Sequence, residues 1–240
     1  MSEQHSALTP HREVLVVGAS RGLGEAIVET YVQRGARVVG TVRTGDQSPL
    51  HAFADRAAAG AVDIEQVDIT EQSQLVALRD RLADRRFDLL FVVAGVSLAP
   101  QDAVGADIDT ADFLRMMETN VLGVMRAVET LQELVTPTGT IAVMSSGQGS
   151  VSGNTTGGFE VYRATKSAVN QMFRSFAVRH AGESRPLLLL APGWVKTELG
   201  GPDAMLEIGD SIPPLLDVID AQHATPGLQY LDRNGEPVAW

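Results

Sequence analysis

The sequence predicts an α/β protein built on one doubly wound parallel sheet of about seven strands, with helices on both faces. Short apolar runs alternate with helix-length amphipathic stretches along the chain. The runs are continuously apolar, as strands buried on both faces are, rather than alternating. Strands separated by helices are joined by right-handed crossovers, which distributes the helices over both faces.

Glu13–Val17 is the first strand and runs straight into Gly18. The spacing predicts a helix over 22–34, with Leu23, Ile27 and Tyr31 four apart on one face and Gly35 as its C-terminal stop. A strand follows at 36–42, weaker helical sequence at 50–59, a strand at 62–67, an amphipathic helix at 71–85 and a fourth strand at 87–93. A long helix is expected over 110–135, then a strand at 140–144, a helix at 161–180, a strand at 186–190 and a last strand at 227–231. Residues 1–12 read as a flexible polar tail and 13–240 as a single dinucleotide-binding domain, with no repeat or linker. The glycine-rich stretch 147–158 is long for a connection, and long loops of this kind tend to be functional.

Composition narrows the function. The 240 residues suffice for one large α/β domain, and 44% hydrophobic with 20% charged residues is ordinary globular material. A net charge of −11 repels nucleic acid and anionic membranes, so neither is an expected partner. The absence of cysteine excludes disulfides, thiolate catalysis and cysteine-ligated zinc. The five histidines are scattered without a helix-spaced pair, and no metal site is expected. The start lacks the apolar stretch of a secretory signal, and the longest apolar runs fall far short of the roughly 18 residues of a membrane helix. The expected location is cytoplasmic.

The first strand enters Gly18-Ala-Ser-Arg-Gly-Leu-Gly24 and then a helix. Glycines allow a tight turn that brings backbone N–H groups close to a phosphate, and the helix N-terminus faces its charge. The spacing is G-x-x-x-G-x-G, and its placement between a strand and a helix points to a dinucleotide. An NAD-binding fold usually carries an acid after its second strand for the ribose 2′-hydroxyl. Here no acid appears before Asp46, while Arg43 ends the strand and Arg21 lies in the turn. Two guanidinium groups suit a 2′-phosphate, so the expected cofactor is NADP(H).

Tyr162 and Lys166 are four apart on a predicted helix and therefore share one face. A phenol of pKa about 10 is a poor proton shuttle near neutrality. A cation about 4 Å away, at an effective dielectric near 20, is worth roughly 4 kcal/mol, or about three pKa units. Lys166 is thus expected to bring Tyr162 into range as a general acid and base.

The ordered set of the glycine turn, Ala94-Gly95, Asn120, Ser145-Ser146, Tyr162-x-x-x-Lys166 and Pro192-Gly193 resembles the short-chain dehydrogenase/reductase family over essentially the whole chain. Ser146-Gly-Gln-Gly-Ser-Val151, the Gly157-Gly158 pair, Tyr162-Arg-Ala-Thr-Lys-Ser-Ala-Val-Asn170 and the run from Pro192 to Pro202 are similar to the C-factor and sniffer-type carbonyl reductases. The resemblance implies a Rossmann-like single domain and an oxidoreductase that moves hydride between NADP(H) and a carbonyl or secondary-alcohol substrate. It implies that Tyr162 protonates the carbonyl oxygen and that Lys166 lowers its pKa and holds the nicotinamide ribose. It further implies that Ser146, with Ser145 and Ser150 as alternatives, hydrogen-bonds the substrate oxygen. Asn120 would hold a water in a proton relay to Lys166. Around the cofactor it places Gly18, Ser20, Arg21, Gly22, Leu23, Gly24, Arg43, Ala94 and Gly95. Asp68 and Ile69 would flank the adenine, and Pro192, Gly193, Val195 and Thr197 would line the nicotinamide.

Two positions depart from the family pattern: Val17 stands where a threonine is usual, and Val93 where an asparagine buttresses the sheet. The same resemblance implies a homodimer or homotetramer, since helices 110–135 and 161–180 carry apolar residues on more than one face. An alternative function on the same fold is a dinucleotide-sensing regulatory protein with little turnover. The loops expected to line the substrate pocket mix apolar and small residues without charge clustering, which suits a neutral, partly apolar carbonyl compound.

Overall fold

The computed structural model describes residues 10–45 and 47–240, so most of the expected tail (1–9) and Asp46 lie outside the described residues. Seven strands form one parallel sheet: β1 Glu13–Val17, β2 Arg37–Val42, β3 Val62–Gln66, β4 Phe87–Val92, β5 Val135–Met144, β6 Pro186–Ala191 and β7 Gly227–Asp232. Their order is β3-β2-β1-β4-β5-β6-β7. The winding direction reverses between β1 and β4, and in open sheets of this kind ligands bind beyond the carboxyl ends of the strands at that point.

The helices are α1 Gly22–Gln33, α2 Pro49–Ala54, α3 Gln72–Arg81, α4 Thr110–Met117, α5 Val124–Leu131, α6 Glu160–Arg179 and α7 Ile208–Ala221. Successive strand residues face opposite sides of the sheet, and each side has its own core. On one, Leu15, Leu90, Ile141 and Leu189 pack with Leu78 of α3, Val128 of α5 and Phe173 and Phe176 of α6. On the other, Val14, Val16, Leu89 and Leu188 pack with Ile27 and Tyr31 of α1, Leu50 of α2 and Leu215 and Leu216 of α7. Each fully buried side chain of this size contributes roughly 1.5–3 kcal/mol, which is why the continuous apolar runs become interior strands.

Several elements differ from expectation. The helix expected over 110–135 is broken: Glu118–Gly123 winds as a π-helical turn, and β5 begins at Val135 rather than at Thr140. The early start of β5 coincides with a register irregularity opposite Phe87 and Leu89 of β4. Helix α7 was not expected, because Pro213 and Pro214 lie inside it and each removes a helical N–H. Burial of Ile212, Leu215, Leu216 and Ile219 sustains the helix regardless.

The expected tail also ends too late. His11 is fully buried, with Nδ1 2.8 Å from the Asp220 carboxylate and Nε2 3.3 Å from the Thr140 hydroxyl. Asp220 and Asp217 also hold Arg34, whose guanidinium donates to the Pro213 carbonyl. This network ties the first described residues and α1 to α7. Among the described residues, no helix is long and apolar enough to cross a membrane, and no three metal-ligating side chains cluster.

Candidate active site

The chain leaves β1 through Gly18 at φ +94° and enters α1 through Gly22 at φ +61°. A Cβ on Gly18 would lie 2.6 Å from the Ala94 nitrogen, and one on Gly24 would lie 2.0 Å from the Gly18 carbonyl oxygen. Neither position admits a side chain. Gly18 N–H donates to Thr41 Oγ1 at 3.0 Å and Ala19 N–H to the Thr41 carbonyl at 2.7 Å. Val93 and Ala94 both donate their N–H to the Val17 carbonyl. Backbone bonds and Thr41 thus secure this corner with Val17 and Val93 in place. No side chain caps α1, and its N-terminus faces the cleft, an arrangement suited to an anionic group.

The cleft has a volume of about 1290 Å³ and lies across the carboxyl ends of the strands. That is roomier than the roughly 300–1,000 Å³ of a single small-ligand pocket. Every residue expected around the cofactor lines it, from the glycine turn through Arg43, Asp68 and Ile69 to Pro192, Gly193, Val195 and Thr197. Ser146, Tyr162 and Lys166 share its wall, whereas Asn120 is buried behind it.

Asn120 sits in the π-helical turn, a local irregularity often found at functional sites. Its side-chain oxygen accepts the Val96 N–H at 2.8 Å, and its amide donates to the Val96 carbonyl and to Thr165 Oγ1. The side chain therefore braces the loop after β4 against α6.

Ser146 follows β5 and caps a short 3-10 turn, its Oγ accepting the Gln148 N–H at 3.2 Å. A hydroxyl used in this way keeps its own proton for another acceptor. The alternatives are engaged elsewhere: Ser145 donates to Asn170 Oδ1 at 2.6 Å, and Ser150 accepts the Gly153 N–H at 2.9 Å. Both are buried.

Lys166 is 3% exposed and donates from Nζ to the Met144 carbonyl at 2.8 Å. Nζ also lies 5.6 Å from the centre of the Tyr162 ring. Burial lowers the lysine from 10.5 to about 8. The tyrosine moves against expectation: burial, and then the nearby Tyr230 phenol, push it well up. Desolvation of the phenolate outweighs any help from the Lys166 ammonium.

The two arginines behave differently. Arg43 is exposed at the end of β2, and among the described residues no acid pairs with its guanidinium. Arg21 reaches across the cleft to form an ion pair with Glu198, in the segment after β6. That segment is held by its own bonds: Thr197 Oγ1 accepts the Gly200 N–H, Trp194 Nε1 donates to the Gly200 carbonyl, and Ser211 donates to the Pro192 carbonyl.

Sequence reasoning missed two contributors to the site, Thr41 and Tyr230, and the conformation of a third, Phe159, which ends the stretch 147–159 expected to line the substrate pocket. Thr41 and Tyr230 lie on strands whose neighbours only the sheet order reveals. Phe159 lines the cleft three residues before Tyr162 at φ +52°, alone among the described non-glycine residues in having a positive φ. No sequence signal marks that conformation, which costs on the order of 1–3 kcal/mol. Arg163 holds it in place by donating to the Gly157 and Gly158 carbonyls.

The short chain dehydrogenase family model matches residues 12–204. The chain belongs to the short-chain dehydrogenase family. Among solved structures, it resembles a short-chain dehydrogenase/reductase from Burkholderia multivorans with bound NADP, at 48% identity and a TM-score of 0.93, covering 96% of this chain and 100% of that one. A carbonyl reductase from Pseudomonas aeruginosa PAO1 in complex with NADP is 32% identical at a TM-score of 0.87, covering 95% and 99%. The C-signal protein of Myxococcus xanthus is 36% identical over 155 residues, 64% of this chain and 92% of that protein, in line with the C-factor resemblance.

Lys166 is buried at some cost to folding. Between about 8 and 10.5 the unfolded chain holds a proton that folded Lys166 has released, so this residue's contribution to stability rises with pH across that window. Below about 8 both states are protonated and the burial cost is fully present. Relative to Lys166→Met, the wild-type unfolding free energy in urea should gain about 2 kcal/mol from about pH 7 to about pH 9.5. A difference that stays flat or falls with pH contradicts the assignment.

Proposed function

We propose that the protein is an NADP(H)-dependent reductase of carbonyl compounds, working in reverse on secondary alcohols, with Tyr162 as its general acid and base. The observation that carries this reading is the convergence of Ser146, Tyr162 and the largely buried Lys166 on one cleft wall. The glycine turn fits a dinucleotide, because Gly22 opens α1 on the cleft at φ +61° and carries no Cβ to bar a close phosphate. The relatives with bound NADP support the same cofactor. Arg43 would take the 2′-phosphate, Asp68 and Ile69 the adenine, and Gly193, Val195 and Thr197 the nicotinamide.

When bound, the reduced cofactor supplies the hydride. The protein's part is to hold and move one proton. Ser146 donates its free O–H to the substrate oxygen. Tyr162, kept protonated by its burial, donates to the same oxygen and passes its proton as negative charge develops there. An alkoxide is far more basic than a phenolate, so the transfer runs downhill. Lys166 stabilises the phenolate that remains, and Asn120 holds the loop and helix that carry these groups. No observation favours a purely regulatory role. Leu122 and Met172, about 40% exposed, and Val178, 70% exposed, leave an apolar outer surface around α5 and α6 that would be covered in a homodimer or homotetramer.

Tyr162→Phe deletes one hydroxyl and keeps the ring. It should lower kcat for carbonyl reduction by about 10²–10⁴, the usual worth of a general acid, while NADPH affinity by fluorescence titration stays unchanged. Turnover near the wild-type value in this variant sinks the mechanism. Because the phenol's pKa is raised, reduction should be flat through neutrality, and alcohol oxidation should climb steadily with alkaline pH. Arg43→Ala should raise KM for NADPH by roughly one to two powers of ten and leave KM for NADH alone, taking one charge-assisted bond at about 1.5–3 kcal/mol. Equal weakening of both cofactors removes Arg43 from the phosphate site. Light scattering at micromolar concentration should give a dimer or tetramer mass, and a monomer mass refutes the assembly.

A further inference from the structure

The corner after β5 is clamped at three consecutive residues by three different buried side chains. Lys166 donates to the Met144 carbonyl at 2.8 Å, Ser145 donates to Asn170 Oδ1 at 2.6 Å, and the Tyr230 hydroxyl donates to the Ser146 carbonyl. Lys166 and Asn170 are one turn apart on α6 and act from the same face. Tyr230 comes from β7, two strands away in the sheet, and supplies a hold on the corner that does not pass through α6.

Tyr230 is itself fixed. It is 4% exposed, and the polar side chains of Ser145 and Asn170 lie beside its hydroxyl. The Trp240 ring packs against it with centroids 5.5 Å apart, and the Arg174 guanidinium of α6 lies 4.7 Å from the Trp240 ring centre. The Trp240 carbonyl accepts the Ser152 N–H at 3.0 Å, so the same segment also secures the loop beyond Ser146.

We propose that Tyr230 is a positioning residue for carbonyl reduction: its hydroxyl fixes the Ser146 carbonyl and thereby sets the direction in which the Ser146 O–H meets the substrate oxygen. The inference rests on the reductase reading above. Ser146 Oγ already accepts the Gln148 N–H, so one proton remains to be aimed. A reacting constellation must be held within about 0.5 Å and 10–20° of its working geometry, and displacement by about 1 Å can cost 10²-fold in rate. The Ser146 carbonyl also accepts the Gly149 N–H at 2.8 Å and so anchors the short turn whose Gln148 N–H holds Oγ; a shift of this carbonyl shifts the anchor of the hydroxyl. The Tyr230 hydroxyl, bound to the same carbonyl from outside the turn, opposes that shift.

The test compares Tyr230→Phe, Ser146→Ala and the double variant in the full-length chain, against a panel of ketones, aldehydes and quinones with NADPH. Tyr230→Phe should lower kcat about tenfold, with NADPH affinity by fluorescence within twofold of wild type. In the Ser146→Ala background it should cost nothing further, because no hydroxyl remains to be aimed. A residue that merely supports the fold would lower both backgrounds alike and would weaken NADPH binding. Trp240→Leu, which loosens Tyr230 from outside the cleft, should lower kcat in the same direction by a smaller factor, and it serves if Tyr230→Phe does not fold. Full kcat in the variant that folds, or additive losses in the double variant, overturns the positioning role and leaves the reductase reading standing. A wild-type chain that reduces nothing in the panel overturns both.

Discussion

A charged side chain buried at the junction of sheet and helix is the constraint on which the rest of this structure depends. Lys166 has almost no contact with solvent, and its ammonium has a backbone carbonyl at the end of β5 as its hydrogen-bond acceptor. Lowering a lysine from 10.5 to about 8 corresponds to about 3 kcal/mol set against the folded state. The surroundings offset this cost locally. The Lys166–Met144 bond locks α6 to the sheet at the height of the cleft. Asn120, committed to Val96 and Thr165, locks the next loop to the same helix. A Cβ on Gly95 would sit 3.7 Å from Nζ, so the loop after β4 passes directly over the amine. The groups proposed to handle the proton are therefore placed by the same contacts that hold the helix.

Electrostatics at the cleft are local, not global. A chain of net charge −11 disfavours a polyanionic ligand at a distance, but that diffuse field is screened beyond about 8 Å at physiological salt. What a dinucleotide would meet on entry is an uncapped helix N-terminus, Arg43 without an acidic partner among the described residues, and Arg21 already paired with Glu198. The two guanidinium groups are therefore not equivalent, although they look equivalent in the sequence.

Much of the fold and of the site could be read from the sequence because both rest on local chemistry. Glycine spacing, a helix repeat of four and continuous apolar runs each follow from backbone geometry, and they located the turn, the Tyr162–Lys166 face and all seven strands. What escaped depends on contacts between distant segments. The π-helical turn at Asn120 leaves no mark in a helical periodicity. Helix α7 carries two prolines that argue against it, and only its packing on α1 and the sheet sustains it. His11 reads as tail because its partners, Asp220 and Thr140, are remote in the chain. Tyr230 reads as one more strand residue until the sheet order sets β7 two strands from β5. The direction of the Tyr162 shift was missed for a related reason. A pairwise estimate counts the nearby cation but not the loss of water around the phenol, and burial decides the sign here.

The sequence contains two lysines, Lys166 and Lys196, and the second is pushed up from 10.5 by its ion pair with Glu207. The pair allows the buried amine to be observed directly. A carbon-detected NMR titration of lysine labelled at Cε, in cofactor-free protein, should show one resonance titrating near pH 8 that disappears in Lys166→Met, and a second titrating above the ordinary lysine value. Two resonances that both titrate at 10.5 or higher would contradict a desolvated Lys166 and the site built around it.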